Sequence, residues 1–347
     1  MKQPHDILEH VTPLLSVKNL KTYFRSEEGG VIKAVDGASL HIRPKEILGI
    51  VGESGSGKSI TAMSILRLIP SPPGYFAGGD IVFENESLLA KTQKEMRLIR
   101  GKDISMVFQE PMSSLNPAYT VGYQIMENIM LHQKVSKNQA LEHAVDMLKL
   151  VGIPSPEKRV HDYPFQMSGG MRQRVMVAMA LSCQPKLLIA DEPTTALDVT
   201  IQAQILRLIL DTKDKVGSAI MLITHDLGVV AEVCQRVVVM YAGKVVEVAY
   251  VNELFNHPAH PYTEGLLSAI PRLDETRDRL TIVPGSIPNP ARMPEGCRFH
   301  PRCQYADERC RTEQPPLVSP KPGQWVSCWR ASGVEGSEAD VAATAEA

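Results

Sequence analysis

The sequence predicts an α/β protein built on a parallel sheet, with antiparallel strands before it and an irregular segment after it. Three observations carry this prediction. A glycine-rich loop at residues 52–59 stands between an apolar, strand-like run, 47–51, and a helix-like stretch, 60–68. Apolar strands and helices then alternate over residues 170–255, as they do in a parallel α/β sheet. Residues 270–330, by contrast, are rich in proline and carry four of the six cysteines.

Composition limits the class of protein. The chain has 347 residues, enough for one large domain or two smaller ones, and 44 % hydrophobic residues can build a sizeable core. A net charge of −2 argues against nucleic acid as a partner. The N-terminus lacks the basic-then-apolar pattern of an export signal, and no apolar run is long enough to cross a membrane. We therefore expect any membrane role to come through a partner.

Local patterns predict the elements around the glycine loop. Partial alternation at residues 15–17 and 38–42, with a Glu-Gly turn between them, predicts an antiparallel sheet ahead of the loop. Residues 139–151 repeat apolar side chains at i, i+3, i+4 and i+7, which predicts an amphipathic helix within a helix-rich region, 118–160. Three later apolar runs are further strand candidates: 187–190, 219–223 and 237–241.

The glycine-rich loop matches the phosphate-binding pattern G-x-x-x-x-G-K-[ST] in full. Its residues are Gly52, Glu53, Ser54, Gly55, Ser56, Gly57, Lys58 and Ser59. Glycines let the backbone turn its N–H groups toward the phosphates of a nucleotide, and the following helix N-terminus favours the same anion. Lys58 supplies a positive charge and Ser59 a hydroxyl ligand for Mg²⁺. A chance glycine turn is the alternative, but the strand–loop–helix context favours nucleotide binding.

Five further motifs follow, and their order and spacing resemble those of ATP-binding-cassette (ABC) ATPases. They are Gln109, Ser168-Gly169-Gly170, Asp191-Glu192, Asp198 at the end of residues 195–198, and His225. The resemblance covers roughly residues 14–255. It implies an ABC-type P-loop nucleotide-binding fold, with a RecA-like core, an antiparallel β subdomain and a helical subdomain. We expect the ATPase domain over residues 1–255 and its helical subdomain over about 112–180.

The resemblance also implies which residues bind the metal and activate water. Ser59, Asp191 and Gln109 would hold Mg²⁺. Glu192 would polarise the attacking water, and His225 would contact the γ-phosphate and keep water and carboxylate in register. The alternative for the two adjacent carboxylates is a helix cap.

The remaining nucleotide contacts come from the same resemblance. Lys58 would neutralise the phosphates, and Asp198 belongs to the D-loop. Phe24 lies closest to the position of the aromatic residue that stacks on adenine, and Tyr23 is the alternative. The alternative role for either ring is packing within the sheet.

The signature around Ser168, Gly169 and Gly170 implies a second subunit. In ABC ATPases this signature binds the γ-phosphate across a head-to-tail dimer, with backbone N–H groups at a helix start. This chain has one phosphate loop and one signature, so it cannot complete two sites alone. It departs from the commonest signature at Met167 and Met171, which we do not expect to abolish activity.

Three longer stretches resemble the dipeptide and oligopeptide permease ATPases, specifically the D-type subunit. They are residues 109–117, 165–174 and 257–263. The resemblance implies ATP-driven import of dipeptides or oligopeptides, with four partners: an F-type ATPase subunit in a heterodimer, two transmembrane permeases and an extracellular peptide-binding protein. It places the chain peripherally, at the cytoplasmic face of the membrane. A nickel or antimicrobial-peptide importer is the alternative substrate class.

The C-terminal segment, 256–330, resembles the extension peculiar to peptide and nickel importers. Its cysteines are Cys297, Cys303, Cys310 and Cys328, spaced x5, x6 and x17. The spacing fits neither a paired zinc ribbon nor the ferredoxin patterns, so by itself it indicates only four thiolates for one metal centre. In D-type subunits the pattern resembles a [4Fe–4S] motif; zinc and unliganded thiols are the alternatives. Residues 331–347 are expected to form a disordered tail.

Non-transport ABC ATPases are the other function class. A DNA-repair or chromosome-maintenance ATPase would carry a long coiled coil between Lys58 and Ser168, and that interval is too short for one. A ribosome-associated ABC protein would carry two cassettes in one chain.

Overall fold

The computed structural model describes residues 12–26, 29–109, 114–193, 199–269 and 283–331. The chain divides into two compact units, the first formed by residues 1–90 and 223–347 and the second by residues 91–222. No helix in the described stretches is long and apolar enough to cross a membrane. The D-loop, including Asp198, and all of the predicted tail except Ala331 lie outside the described residues.

The strands are numbered in chain order. They are β1 (Leu15–Arg25), β2 (Val31–Ile42), β3 (Ile47–Val51), β4 (Gly74–Phe83), β5 (Glu86–Ser87), β6 (Ile104–Val107), β7 (Leu187–Asp191), β8 (Ala219–Ile223), β9 (Arg236–Tyr241), β10 (Lys244–Tyr250), β11 (Val318–Lys321) and β12 (Gln324–Val326).

The helices are numbered in the same way. They are α1 (Lys58–Ile65), α2 (Gln93–Ile99), α3 (Val121–His132), α4 (Lys137–Leu150), α5 (Pro156–Arg159), α6 (Gly169–Leu181), α7 (Val199–Val216), α8 (Leu227–Val233), α9 (Val251–Asn256), α10 (Pro261–Ser268) and α11 (Glu308–Thr312). Two short 3₁₀ turns occur at Pro164–Gln166 and His300–Arg302.

The first unit contains the predicted antiparallel sheet, with strand order β2-β1-β4-β5. Leu15 pairs with Ile42 on one side and with Phe83 on the other, and all three side chains are buried. Strand β4 was not predicted, because the strands expected for this antiparallel sheet all precede the glycine loop.

A second run of strands in the first unit has the order β11-β12-β10-β9-β3. Strand β3, buried along its whole length, pairs in parallel with β9, so that Leu48 lies opposite Arg236 and Val51 opposite Val239. Ala242 and Gly243, both with positive φ, form the tight turn between β9 and β10. Two-residue hairpin turns need this left-handed backbone.

The second unit places the strand candidate at 187–190 beside β6. Strands β6 and β7 pair in parallel, from Ile104 opposite Leu187 to Val107 opposite Ala190. Helix α4 confirms the amphipathic pattern, since Ala140, Ala144 and Leu148 are buried along one face. A reciprocal capping box between Ser136 and Gln139 starts this helix two residues before the predicted position.

The C-terminal segment is more ordered than the sequence predicted. Residues 270–330 were expected to be irregular, but β11 and β12 form a hairpin whose second strand pairs with β10. Trp325 lies opposite Val248, and Val326 lies opposite Glu247. The strand is only three residues long, too short to leave a recognisable alternation in the sequence.

Glu247 joins the C-terminal segment to β10. Its fully buried carboxylate accepts hydrogen bonds from the backbone N–H groups of Ala259 and His260, both at 2.9 Å, and from the Gln324 amide at 2.8 Å. Burial raises the pKa of Glu247, and these donors oppose that shift. One side chain thus fixes both the turn before α10 and strand β12.

Replacing Glu247 by Ala is expected to lower the free energy of unfolding by about 2–4 kcal/mol, because three buried donors lose their acceptor. Glu247→Gln keeps one acceptor oxygen and should lose less. Urea unfolding measures both, and limited proteolysis should show earlier cleavage after residue 256. The exposed Glu295→Ala is the matched control. An Ala variant as stable as the wild type would contradict the anchoring role.

Candidate functional site

The phosphate loop connects β3 to α1 and depends on two close backbone approaches. At Gly52, with φ of 150°, a Cβ atom would lie 2.2 Å from the Met240 carbonyl oxygen. At Gly57, with φ of 103°, it would lie 2.7 Å from the Ala34 carbonyl oxygen. Distances under 3.0 Å exclude any side chain, so these two glycines are required by packing as well as by backbone conformation.

Lys58 is the first residue of α1, and its side chain binds carbonyl groups on the inner side of the loop. Its ammonium group donates to the carbonyl oxygens of Gly52 at 2.7 Å and Glu53 at 3.0 Å, and its side chain is buried. The loop tip, Ser54 and Gly55, is exposed. A buried cation beneath an exposed loop at a helix N-terminus suits a bound phosphate group.

The outer side of the loop contacts the C-terminal segment. The Glu53 N–H donates to the Tyr262 hydroxyl at 2.8 Å, and Arg302 pairs with the Glu53 carboxylate at 2.9 and 3.0 Å. Neither partner was predicted from the sequence. They lie 209 and 249 positions from Glu53, and no motif connects residues so far apart.

In the second unit, the parallel register brings two predicted residues together. Glu192 directly follows β7 and Gln109 follows β6 by two positions, so the neighbouring strands end side by side. The Gln109 amide donates to the Glu192 carboxylate at 3.0 Å. Glu192 has a φ of 45°, a strained conformation that non-glycine residues rarely adopt and that often occurs at functional sites. Asp191 is buried at the end of β7.

The signature residues begin helix α6. Ser168 is the N-cap, and its hydroxyl accepts the Met171 N–H at 3.3 Å. Ser168 and Gly169 are exposed, and a Cβ atom at Gly169 would meet nothing within 4 Å. Arg174 fixes the helix by donating to the Val151 carbonyl and to the Gln204 side chain, both at 2.6 Å. The first turn of α6 is thus held open to an external anion.

His225 lies in the first unit, one position beyond Thr224, which follows β8. The Thr224 N–H donates to the Ile50 carbonyl at 3.3 Å, next to β3's final residue. Asp226 caps α8 by accepting from the N–H groups of Gly228 and Val229. His225 itself is exposed between these two fixed positions.

The two aromatic candidates for adenine have different surroundings. The Tyr23 hydroxyl donates to Asp36 at 2.6 Å, and burial together with this bond raises the pKa of Tyr23 to about 12. The Phe24 ring packs close to Gly74, since a Cβ atom added at Gly74 would lie 3.0 Å from the ring. Both rings are half-buried in the antiparallel sheet.

The four C-terminal cysteines face one cavity of about 210 Å³. All four cysteines are half-buried, and the Cys297 N–H donates to the Cys310 carbonyl. The Arg309 guanidinium lies 3.4 Å from the centroid of the Trp329 ring at the edge of the same cavity. The four thiols therefore lie around the same cavity.

Burial in this cavity favours the neutral, protonated form of all four thiols. Burial, and to a lesser extent the other three thiols, raise the pKa of Cys297 to about 11. Burial also raises the pKa values of Cys303, Cys310 and Cys328. Four such thiols ionise together only when a metal compensates their charge. Within the described residues, however, no group of three or more His, Cys, Asp or Glu side chains is arranged to hold a metal ion.

Two arginines near the cysteines in the chain bind residues outside the cysteine cavity. Arg298 donates to Asp36 and to the Ala242 carbonyl, and Arg302 pairs with Glu53. Neither lines the cysteine cavity. They connect the C-terminal segment to the rest of the first unit.

Two known protein families match different parts of the chain. Residues 35–195 match the ABC transporter family, and residues 246–310 match the family described as the oligopeptide/dipeptide transporter, C-terminal region. The chain belongs to the peptide-transporter ABC ATP-binding proteins. This confirms the recognition from sequence motifs.

Relatives with high identity span nearly the whole chain. A probable peptide ABC transporter ATP-binding protein of Sinorhizobium fredii is 53 % identical, covering 92 % of this chain and 96 % of its own. The oligopeptide transport ATP-binding proteins AppD and OppD of Bacillus subtilis are each 52 % identical over 92 % of this chain, covering 97 % and 89 % of their own lengths.

Solved structures share the cassette fold. The ATP-binding cassette MJ0796, in a dimeric post-hydrolysis state bound to ADP and Pi, superimposes with a TM-score of 0.62 at 26 % identity, covering 68 % of this chain and 98 % of that one. CbiO1 of Clostridium perfringens gives 0.59 at 26 % identity, over 71 % and 92 %. These matches confirm the ABC ATPase fold; the roles of individual site residues stay predictions.

Proposed function

We propose that this chain is the D-type ATPase subunit of a peptide importer and that the motif residues act as the resemblance implies. The chain is an ATPase coupled to peptide transport. The main support for this proposal is that one chain contains both an ABC transporter domain and an oligopeptide/dipeptide transporter C-terminal region. The chain is also 52 % identical to AppD and OppD over 92 % of its length.

The proposed nucleotide contacts use ATP and Mg²⁺, the usual pair in this family. Lys58 and the N–H groups of residues 52–59 bind the phosphates, and Phe24 stacks on adenine. Ser59, Asp191 and Gln109 are the proposed Mg²⁺ ligands, directly or through water, because hydroxyl, carboxylate and amide oxygens suit this ion.

The proposed hydrolytic step relies on Glu192 and His225. Glu192 polarises the attacking water, and the Gln109 amide, 3.0 Å away, supports that carboxylate in place. His225 contacts the γ-phosphate. This division of roles matches the general needs of phosphoryl transfer, which are a positioned water and neutralised phosphate charge. Asp198, outside the described residues, is proposed to act in the D-loop.

The proposed partners follow from the signature. Its helix start, exposed at Ser168 and Gly169 and half-buried at Gly170, suits the γ-phosphate bound by a second cassette. We assign that cassette to an F-type subunit. The dimeric state of MJ0796 supports the arrangement. Two permeases and an extracellular peptide-binding protein complete the transporter, which places this chain at the cytoplasmic face of the membrane.

The proposed domain limits keep those of the sequence analysis. The ATPase domain covers residues 1–255, with its helical subdomain at about 112–180, and the importer extension covers 256–330. The four helices between Val121 and Leu181 support the helical subdomain.

We further propose that Cys297, Cys303, Cys310 and Cys328 bind a [4Fe–4S] cluster. Their shared cavity supports this, and four thiolates are the usual ligands of such a cluster. A cluster spans several ångströms, so its ligands need not converge on one point. Bound there, it would cross-link a segment that has few large apolar side chains; zinc is the alternative.

Glu192→Gln is expected to leave ATP binding intact and to slow hydrolysis by about 10²-fold or more, because the water loses its anionic partner. ATP turnover and nucleotide retention are measured in the assembled transporter, where the variant should accumulate with ATP bound. Glu142→Gln, an exposed change on α4, is the control. Near-normal turnover of Glu192→Gln would exclude the assigned role.

The purified chain alone is expected to hydrolyse ATP slowly, because its signature serves the site of another subunit. Adding the F-type subunit and the permeases should raise the rate. The rate is measured at increasing dilution of the isolated chain. Turnover that stays as fast as that of the complex, even at high dilution, would contradict the composite site.

Anaerobically purified protein is expected to be brown and to contain about four irons per chain. Cys303→Ser should bleach the visible absorbance and make residues 290–330 more sensitive to protease, while ATP binding survives. Cys183→Ser, which changes a thiol outside the cavity, is the control. Colourless anaerobic protein with one zinc and no iron would rule out the cluster.

A further inference from the structure

The phosphate loop is held from its outer side by two residues that lie in no nucleotide-binding motif. Tyr262 accepts the backbone N–H of Glu53 at 2.8 Å. Arg302 makes a bidentate ion pair with the Glu53 carboxylate, at 2.9 and 3.0 Å. A bidentate pair fixes the orientation of a carboxylate as well as its position. Both bonds therefore act on the second residue of the loop.

Both partners are rigidly packed. Tyr262 is fully buried, with its ring centroid 4.7 Å from that of Tyr241 and 5.4 Å from that of Phe299. The Arg302 side chain is only 5 % exposed, and it also donates to the Pro284 carbonyl at 2.7 Å. Few other rotamers are open to groups packed in this way, so the two bonds constrain the loop.

Charge gives Arg302 a second role. Glu53 brings a negative charge into a loop that binds an anion, and Lys58 is the cation within that loop. An unpaired carboxylate there would repel the phosphates, since charges shielded from water interact over longer distances. The ion pair with Arg302 cancels this charge.

The backbone of Glu53 connects Tyr262 to Lys58. Its carbonyl oxygen accepts from Lys58 at 3.0 Å, while its N–H, on the other side of the same residue, donates to Tyr262. The position of the Lys58 ammonium group therefore depends on the orientation of the Glu53 backbone. Tyr262 sets that orientation from outside the loop.

We propose that Tyr262 and Arg302 are positioning residues for ATP, acting through Glu53. Tyr262 orients the Glu53 backbone so that Lys58 faces the phosphates, and Arg302 neutralises and fixes the Glu53 carboxylate. The nucleotide site of this chain therefore includes its C-terminal segment. That segment supports ATP binding independently of any metal that the cysteines hold.

The test measures binding of a fluorescent ATP analogue with Mg²⁺ to the full-length chain, and KM and kcat of the assembled transporter. In Arg302→Gln the dissociation constant should rise about tenfold, the effect of losing a charge-assisted hydrogen bond. Arg302→Lys, which keeps the charge but loses the fork, should give a smaller rise. In both variants KM should rise while kcat at saturating ATP stays within about twofold of the wild type.

Tyr262→Phe isolates the backbone contact. It removes one oxygen and keeps the ring in its aromatic cluster, and it should weaken ATP binding about three- to fivefold by losing one hydrogen bond. Lys321→Gln is the matched control, because it breaks another ion pair of the C-terminal segment, with Glu253, far along the chain from the loop contacts. Its ATP affinity should equal that of the wild type.

A rescue experiment separates positioning from a merely structural role. Adding Glu53→Gln to Arg302→Gln removes the charge that needs neutralising, so ATP affinity should return to within about threefold of the wild type. Thermal unfolding of each variant shows whether it is folded at the assay temperature. A structural role alone would lower the unfolding temperature without this rescue.

Two results would overturn the proposal. One is wild-type ATP affinity in both Arg302→Gln and Tyr262→Phe. The other is a loss of affinity in folded Arg302→Gln that Glu53→Gln does not restore. If Arg302→Gln does not fold, Tyr262→Phe and Arg302→Lys decide the question, because each keeps the buried volume of the side chain it replaces.

Discussion

The shape of the phosphate loop depends on backbone contacts too close for any side chain. Gly52 approaches the Met240 carbonyl and Gly57 the Ala34 carbonyl, while the Gly243 N–H donates to the Ser56 carbonyl at 2.8 Å. These contacts hold the loop against the β9–β10 hairpin and β2. Because the loop is fixed on these sides, Lys58 is held at the first position of α1, beneath an exposed tip. The ability to receive phosphate therefore rests on packing as much as on the glycine pattern.

The C-terminal segment shares that packing. Glu247 fixes the turn before α10, and β12 extends the run of strands beyond β10. The rings of Tyr241, Tyr262 and Phe299 then pack together, with centroids 4.7 to 5.4 Å apart. A segment with few large apolar residues gains its order by using the surface of the cassette and polar anchors. Phe299 also lines the cysteine cavity, so a metal centre there would reinforce contacts that already exist.

The second unit shows how a sheet edge assembles chemistry. Parallel pairing of β6 and β7 puts both carboxyl ends at the same edge, and this alone brings Gln109 to within 3.0 Å of Glu192. Helix α6 presents its exposed N-terminus because a serine caps it and an arginine ties its first turns to neighbouring elements. Gln109, Glu192 and Ser168 are thus each positioned by a regular element and a specific polar contact.

The sequence predicts the cassette, its motifs, six of the twelve described strands (β1–β3 and β7–β9), and helices α1 and α4. Glycine spacing, apolar runs and 3.6-residue periodicity are local properties, so they can be recognised within a window of a few residues. Which partners those residues have depends on the tertiary structure. Glu53 occupies an unspecified position of the loop pattern, and its partners Tyr262 and Arg302 lie more than 200 positions away in the chain. Arg298 likewise pairs with the distant Asp36. The hairpin of β11 and β12 likewise depends on an edge that β10 offers. Contacts between distant segments leave no periodic signal in the chain, because they are selected by the three-dimensional packing of elements that each form for local reasons.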